Sequence, residues 1–262
     1  MSAILIGSEI VHYEVLGRGR PLIFLHGWVG SWRYWIPVMQ ATSISYRAYA
    51  LDLWGFGDTA KKEALYQPEE QVKLIDAFLN QLGIGRIALI GHGLGAMVAL
   101  MYAAHFPDAV DRVMAISHPI DGSMINNRLR SSQPASLADW LLERNPMTDP
   151  VRMDAARADP KALAIALDYL STTTFPEIWN RSQTACLLIH GQNDPAILSP
   201  TVEQMMAMPS QVHAIGFEDS GHFPMLEESS KFNRLMVDFL ALTSGESPKQ
   251  LQLKEEWKRR VR

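Results

Sequence analysis

Cysteine and long hydrophobic runs are both scarce in this sequence. The single cysteine, Cys186, excludes an intramolecular disulfide framework and favours a reducing compartment. The longest apolar runs, such as residues 87–90 and 186–189, are far shorter than the ~20 residues that span a bilayer. The first apolar stretch, residues 3–6, is short and has no basic region before it. We therefore expect no export signal and a soluble, cytoplasmic protein.

Charge of one sign is not in excess either. The chain has 24 lysines and arginines against 28 aspartates and glutamates, which gives a formal net charge of −4. Domains that bind nucleic acid carry a strongly basic surface, so we predict no nucleic-acid partner. At 262 residues, with 47% hydrophobic residues, the chain is long enough to bury a large core.

The C-terminal segment differs from the rest in charge. Residues 249–262 contain six basic and two acidic side chains, and Leu253, Trp257 and Val261 recur every fourth position. On a helix these three residues would form an apolar stripe beside basic side chains. This pattern is compatible with binding to an acidic partner or a membrane surface, and also with packing on the acidic body of the same chain.

Apolar strands alternate with segments of helical periodicity. The predicted strands are residues 10–16, 22–26, 47–52, 87–90, 113–116, 185–189 and 212–217. The clearest predicted helices are residues 68–82, 94–105 and 231–242. Continuous apolar strands that alternate with helices indicate a mostly parallel sheet covered on both faces.

One long segment interrupts this alternation. Residues 118–182 show helical patterning only, punctuated by prolines, and they follow the carboxyl end of a predicted strand. Because α/β sheets bind ligands at that edge, we interpret the segment as a helical cap over a site. The predicted organisation is a core of residues 1–117 and 183–243, this cap, and a basic tail of residues 244–262.

Short polar motifs follow several of the predicted strands. They are HGWVG at residues 26–30, DLWGFGDT at 52–59, GHGLG at 91–95, GQND at 191–194 and SGH at 220–222. In this order they resemble the oxyanion loop, the D-x-x-G-x-G-x-S turn, the nucleophile elbow, the acid and the histidine of the α/β-hydrolase family. The resemblance implies a mostly parallel, eight-stranded sheet flanked by helices, with the cap inserted after the sixth strand.

The resemblance also assigns the site residues. It implies that Asp194 is the acid and His222 the base, and that the backbone N–H groups of Trp28 and Leu94 form the oxyanion hole. The chain departs from the family at Gly93, which stands where the family pattern has the nucleophilic serine. Glycine has no side chain with which to form an acyl-enzyme.

The missing serine has a large catalytic consequence. Loss of the nucleophile lowers turnover of a serine hydrolase by roughly 10⁶-fold, or about 8 kcal/mol of barrier. Glycine tolerates the strained conformation of the elbow, and we expect its missing side chain to leave a void that holds one water. Neither Cys186, in a buried strand, nor Ser31, which we predict caps a helix near Trp32, is a convincing replacement. A structural role is favoured for His92.

The ligand and cofactor predictions are coarser. We expect Trp28, Trp32, Trp140 and Phe223 to contact a small and largely apolar ligand. The histidines show no metal-binding spacing and residues 91–95 lack the G-x-G-x-x-G pattern, so we predict neither a metal nor another cofactor. The sequence carries no signal of oligomeric state.

Three functional interpretations remain open from the sequence. In the first, His222 and Asp194 act as a non-covalent base on water or on an acidic substrate. In the second, the chain is catalytically silent and binds a ligand or a protein. In the third, Gly93 is an introduced change in an ordinary serine esterase-type hydrolase.

Overall fold

One mixed sheet forms the centre of the fold. A computed structural model describes residues 2–253, and within them the sheet has eight strands in the order β1-β2-β4-β3-β5-β6-β7-β8. The strands are β1 Ser2–Ile6, β2 Glu9–Gly17, β3 Arg20–Leu25, β4 Tyr46–Leu51, β5 Ile87–His92, β6 Val110–Ile116, β7 Ala185–Gly191 and β8 Val212–Phe217. Strands β3 to β8 pair in parallel, whereas β2 pairs antiparallel with both β1 and β4. The predicted mostly parallel sheet is confirmed.

Strand β1 is the element that the periodicity does not predict. It lies at the edge of the sheet and its residues alternate between exposed and half-buried, so that Leu5 is largely exposed. An edge strand buries little apolar surface, and its sequence pattern is correspondingly weak. Its pairing with β2, from Ser2 opposite Tyr13 to Ile6 opposite Glu9, holds it in place.

Helices flank the sheet in two groups. The α-helices are α1 Ile36–Thr42, α2 Pro68–Leu82, α3 Leu94–His105, α4 Asn127–Ser131, α5 Pro134–Leu141, α6 Asp149–Ala155, α7 Pro160–Thr172, α8 Phe175–Arg181, α9 Val202–Met206, α10 Pro224–Glu227 and α11 Ser229–Ala241. Helix α1 packs against α11, while α2 and α8 pack against α3. Helices α2 and α3 have the predicted bounds, and α11 begins at Ser229 rather than at residue 231. In the described part of the chain no helix is long and apolar enough to cross a membrane.

The segment between β6 and β7 is built of helices α4 to α8. It folds back over the sheet, because α6 packs against residues 32–35 and α8 packs against α3. Asp154 of α6 accepts hydrogen bonds from Ser31 Oγ and from Arg33 Nη1, the latter at 2.9 Å. These contacts join the segment to the loop that follows β3.

The C-terminal segment begins against strand β8. Residues 248–250 form a short 3-10 helix, Leu251 is buried, and His213 Nε2 lies 3.0 Å from the Leu251 carbonyl oxygen. The rest of the predicted apolar stripe, Trp257 and Val261, lies outside the described residues. The predicted attachment of this tail to an acidic partner or a membrane surface stays a prediction.

Gly191, at the end of β7, allows the loop before His222 to lie close to this strand. A Cβ atom added at Gly191 would lie 2.0 Å from the Gly221 carbonyl oxygen and 2.4 Å from that of Ser220. Real Cβ atoms never approach backbone oxygens so closely, so any side chain here displaces the loop. The absence of a side chain at Gly191 therefore sets the position of the histidine that follows.

We predict that Gly191→Ala lowers the free energy of unfolding by about 1–3 kcal/mol, because the added methyl group overpacks the Ser220–Gly221 backbone. Gly85→Ala is the matched control, since a Cβ at Gly85 meets nothing within 4 Å. Urea unfolding of both variants measures the difference. Equal stabilities would contradict the close approach.

Candidate active site

The candidate site lies where five parallel strands end. Residues that follow β3, β5, β6, β7 and β8 supply, in that order, Trp28, Gly93, Ser117, Asp194 and His222. The carboxyl ends of parallel strands share one edge of a sheet, which is where α/β proteins bind their ligands. The fold thus brings together the residues that the motifs singled out.

Gly93 keeps the backbone geometry of a strand-to-helix elbow. Its φ is 49° and its ψ is −109°, a left-handed conformation that is strained for a residue with a side chain. The Gly93 N–H donates to the Ile116 carbonyl at 2.8 Å, and the Gly93 carbonyl accepts from Met97 N–H at 3.1 Å. The turn between β5 and α3 is therefore held from both sides by backbone hydrogen bonds.

Asp194 and His222 form a buried hydrogen-bonded pair. His222 Nδ1 lies 2.8 Å from Asp194 Oδ2. His222 is 1% exposed and Asp194 is 9% exposed. The other carboxylate oxygen, Oδ1, accepts from the N–H groups of Ala196 at 2.8 Å and Ile197 at 3.2 Å. These donors fix the carboxylate with one oxygen directed at the imidazole. Asp121, another carboxylate in the loop after β6, accepts from Ser123 N–H at 2.8 Å and caps the turn at residues 122–124.

The indole of Trp28 occupies the space beside Gly93. A Cβ at Gly93 would lie 3.0 Å from Trp28 Cε3 and 3.1 Å from Cζ3. The same indole stacks on His222, with 5.8 Å between ring centroids and 19° between ring planes. The expectation of a void beside Gly93 is therefore wrong, because the Trp28 side chain from the loop after β3 fills that space. Trp28 is fully buried, and its Nε1 has no hydrogen-bond partner among the described residues.

The predicted oxyanion donors remain available. Within residues 2–253, neither the Trp28 nor the Leu94 backbone N–H donates a hydrogen bond to another protein group. Leu94 is the first residue of α3, where an N–H has no partner inside the helix. Both donors are backbone groups, so they do not depend on which side chain residue 93 carries.

A chain of hydrogen bonds connects the oxyanion loop with the histidine. Gly27 N–H donates to Tyr34 Oη at 2.6 Å, and Tyr34 Oη lies 3.0 Å from His92 Nδ1. His92 Nε2 and Ser117 Oγ each lie 2.9 Å from the His222 carbonyl oxygen. Because that oxygen only accepts, the proton of His92 is assigned to Nε2 and Nδ1 accepts from Tyr34. The structural role predicted for His92 is this bridge.

The predicted aromatic contacts are less uniform. The ring neighbours of Trp32 are His12, at 5.5 Å, and the Arg33 guanidinium, at 5.2 Å, which places it beside the Asp52 turn. Phe223 is fully buried with its ring 4.6 Å from His92 and 5.3 Å from His222, so it packs against both imidazoles.

Trp140 lines a cavity of about 1110 Å³, and Arg128 lies 4.7 Å above its ring. This cavity reaches Asn193 and Gly221, the neighbours of the acid and the histidine, but its lining includes neither Gly93, His222 nor Trp28. It is lined by both carboxylates and guanidinium groups, a more polar surface than the expected apolar ligand requires. Of the four aromatic residues expected to contact a ligand, Trp28 and Phe223 pack against the His222 ring, and Trp28 also lies beside Gly93.

Other nucleophiles are poorly placed. Cys186 is buried in β7, and burial raises the pKa of its thiol to about 12, so the thiolate is scarce at neutral pH. Ser31 caps residues 32–35 by accepting from Arg33 N–H at 3.2 Å, and its Oγ donates to Asp154. The predicted capping role of Ser31 is confirmed.

His12, Asp52 and Asp58 form a cluster that the sequence analysis missed. One ligand atom from each lies within 4.8 Å of the others, a spacing that is compatible with a metal ion. However, Asp58 already pairs with Arg33 and Arg157. Asp52 accepts from the N–H groups of residues 32 and 58 and lies 3.1 Å from His12 Nδ1. Asp52 and Asp58 lie in one turn and His12 lies in β2, so no single motif reveals the whole cluster. Both carboxylates already have hydrogen-bond or ion-pair partners.

Several histidines are buried in the neutral form. Burial lowers the pKa of His26 and, more strongly, that of His92. Burial also lowers the pKa of His118 to about 3 and that of His190 to about 4. Below pH 6.5 these histidines bind protons in the unfolded chain but stay neutral in the folded chain. The free energy of unfolding therefore decreases as the pH falls from 6.5.

His118 provides the test of this pH dependence, because its ring is buried against Phe175 and its Nε2 has no partner in the described chain. His118→Phe removes one histidine that binds a proton in the unfolded chain but not in the folded chain. We predict that the loss of unfolding free energy between about pH 6 and pH 4 becomes smaller by about 1.4 kcal/mol per pH unit. Denaturant titrations at each pH measure this slope, and an unchanged slope would contradict the prediction.

Comparison with known proteins adds the family context. The family described as the alpha/beta hydrolase family matches residues 22–235. The 2-hydroxy-6-oxo-2,4-heptadienoate hydrolase of Pseudomonas putida is 28% identical to this chain, over 91% of this chain and 95% of that protein. A soluble epoxide hydrolase of Corynebacterium is 31% identical over 43% of this chain, which spans only 39% of that protein.

A solved structure shares the whole fold. It is a serine-to-glycine mutant of an N-acyl homoserine lactonase, complexed with N-hexanoyl homoserine lactone. The TM-score is 0.77 and the identity 18%, over 91% of this chain and 96% of that one. The family match over most of the chain, the eight-stranded sheet and the strand-end motifs lead to one conclusion: this chain belongs to the α/β-hydrolase family.

Proposed function

We propose that this chain is an enzyme that uses His222, oriented by Asp194, as a general base without a covalent intermediate. The observation that carries the proposal is the buried Nδ1–Oδ2 hydrogen bond of 2.8 Å beside an elbow that has no nucleophile. Nδ1 is engaged with the carboxylate, so Nε2 is the nitrogen that accepts a proton from water or from an acidic substrate. The Asp194 carboxylate then stabilises the imidazolium.

The oxyanion hole supports the same chemistry. The backbone N–H groups of Trp28 and Leu94 make no hydrogen bond with the described protein. Pre-aligned donors stabilise negative charge that develops on a carbonyl oxygen or an enolate, whether or not a covalent bond to the enzyme forms. Direct attack of water on a reactive ester, or proton abstraction from a carbon acid, would use both the base and these donors.

We further propose a small and largely apolar substrate. The indole of Trp28 presents an aromatic surface at the elbow, and the segment 118–182 contributes buried apolar side chains, including Leu137 and Leu141. The Pseudomonas putida relative is named for hydrolysis of a 2-hydroxy-6-oxo-dienoate, a small molecule with ionisable and carbonyl groups. Such a compound belongs in the first panel of substrates. A cytoplasmic location is part of the proposal and is supported by the single, buried, free cysteine.

A second candidate is a catalytically silent member of the family. It is favoured by the position of Trp28, whose indole contacts Gly93 and covers His222. His222 is 1% exposed, and one face of its ring packs against this indole. A silent protein would bind its ligand or partner elsewhere, for example in the cavity lined by Trp140.

The third interpretation, an introduced glycine in a serine hydrolase, predicts a different response to restoring the serine. The lactonase relative is itself a serine-to-glycine mutant complexed with a lactone, so glycine is compatible with ligand binding in this fold. Gly93 of the present chain has a positive φ of 49° at the turn between β5 and α3. A serine hydroxyl placed there tests whether the rest of the machinery is a hydrolase.

We predict that His222→Ala and Asp194→Asn each lower kcat by about 10²–10⁴-fold on activated esters, lactones and 2-hydroxy-6-oxo-dienoates. Asp121→Asn is the matched control for the acid, because Asp121 caps a short helix and does not contact the imidazole. Initial rates on this panel measure the effect. Turnover that survives in His222→Ala would overturn the proposal, and an inert parent protein would favour the silent interpretation.

We predict that Gly93→Ser introduces a burst of product on activated esters, because the added hydroxyl joins an existing acid and base. Trp28 must yield by a few tenths of an ångström, since the new Cβ starts 3.0 Å from its Cε3. Gly93→Ala is the control, because it adds the same Cβ and no nucleophile. Rapid-mixing kinetics and intact-protein mass detect the acyl-enzyme. If Gly93→Ser and Gly93→Ala behave alike, the elbow does not have hydrolase geometry.

A further inference from the structure

Ser117 has a backbone conformation that serine rarely adopts. With φ at 48° it is the one non-glycine residue with positive φ in the described chain. This left-handed region brings Cβ close to the backbone and is costly for any residue that has a side chain. Ser117 is also fully buried, directly after the end of β6. Such strain persists only where the surrounding structure enforces it, and it concentrates at functional sites.

The hydrogen bonds of Ser117 connect three strand ends. Its N–H donates to the Ile189 carbonyl in β7 at 2.8 Å, and its Oγ donates to the His222 carbonyl at 2.9 Å. The preceding carbonyl, that of Ile116, accepts from the Gly93 N–H at 2.8 Å. One short segment therefore fixes the elbow, the strand that leads to Asp194, and the loop that carries His222.

The side-chain hydroxyl is the part of Ser117 that touches the base residue. His222 is held at its imidazole by Asp194 and at its carbonyl by two donors, Ser117 Oγ and His92 Nε2. The backbone position of His222 sets the position of its ring, so a shift of the carbonyl moves Nδ1 relative to Asp194. Hydrogen bonds weaken steeply with such displacement.

We propose that Ser117 is a positioning residue that holds the His222 backbone so that the imidazole bonds Asp194 and directs Nε2 to the site. The inference rests on the proposed function of His222 as base. The left-handed backbone turns the Ser117 hydroxyl back towards the histidine loop while its N–H bonds β7. A glycine at this position would relieve the strain and lose the hydroxyl, so the strain is retained together with that hydrogen bond.

Two variants separate positioning from a purely structural role. Ser117→Gly removes the hydroxyl and relieves the positive φ, whereas Ser117→Ala removes the hydroxyl and keeps the strain. The matched control is Ser199→Ala, since Ser199 Oγ also donates to a backbone carbonyl near the site, that of Gly191 at 3.4 Å, and does not contact His222.

The readouts are thermal unfolding, the low-field NMR resonance of the proton between His222 Nδ1 and Asp194, and kcat and KM in any reaction that His222→Ala abolishes. The resonance is assigned by its loss in His222→Gln. We expect Ser117→Gly to unfold at a temperature no lower than that of Ser117→Ala. We expect both to shift or broaden the resonance and to lower kcat about tenfold with little change in KM. Ser199→Ala should leave all three readouts unchanged.

The outcomes distinguish this inference from the function on which it rests. If Ser117→Gly keeps the resonance and kcat of the parent protein, Ser117 is not a positioning residue and the inference is overturned. If the resonance changes in both Ser117 variants, the positioning role stands even where every protein in the series is inert. In that case the proposed base catalysis fails while the placement of His222 by Ser117 holds.

Discussion

The hydrogen bond between His222 and Asp194 is the interaction on which the candidate site depends. A buried carboxylate is costly unless donors surround it, and Asp194 has His222 Nδ1 on one oxygen and the N–H groups of Ala196 and Ile197 on the other. These donors belong to the loops after β7 and β8, so the bond sets the distance between the two loops. Gly191 allows the close approach, since its missing side chain lets the loop before His222 lie against β7.

Gly93 and Trp28 are coupled through the space that they share. Glycine leaves the elbow without a side chain, and the indole of Trp28 lies where one would begin, in contact with both Gly93 and the His222 ring. Protein interiors tolerate few voids, so an aromatic side chain next to a glycine tends to fill the space beside it. The consequence for chemistry is that the indole packs against one face of the His222 ring and borders any ligand that binds at Gly93.

The sequence predicts which strand ends form the site, but not how the side chains pack inside it. Motif order after apolar strands was sufficient for the parallel sheet, the elbow at Gly93 and the pairing of Asp194 with His222, because these follow from strand-end geometry. The direction of the Trp28 side chain was not predictable, since rotamers depend on packing against neighbours that are distant in sequence. The positive φ of Ser117 was missed for a similar reason: three tertiary hydrogen bonds around residues 116 and 117 impose it, and no local pattern encodes it.

The contrast between two left-handed residues bears on which interpretation is favoured. Gly93 and Ser117 follow adjacent strands, β5 and β6, and both have φ near 48°. At Gly93 there is no side chain to strain the backbone, whereas at Ser117 a strain of roughly 1–3 kcal/mol is retained. A chain that needed only a stable fold would gain from glycine at both positions. The residue that keeps its strain is the one whose hydroxyl holds His222, which favours a working base over a silent site.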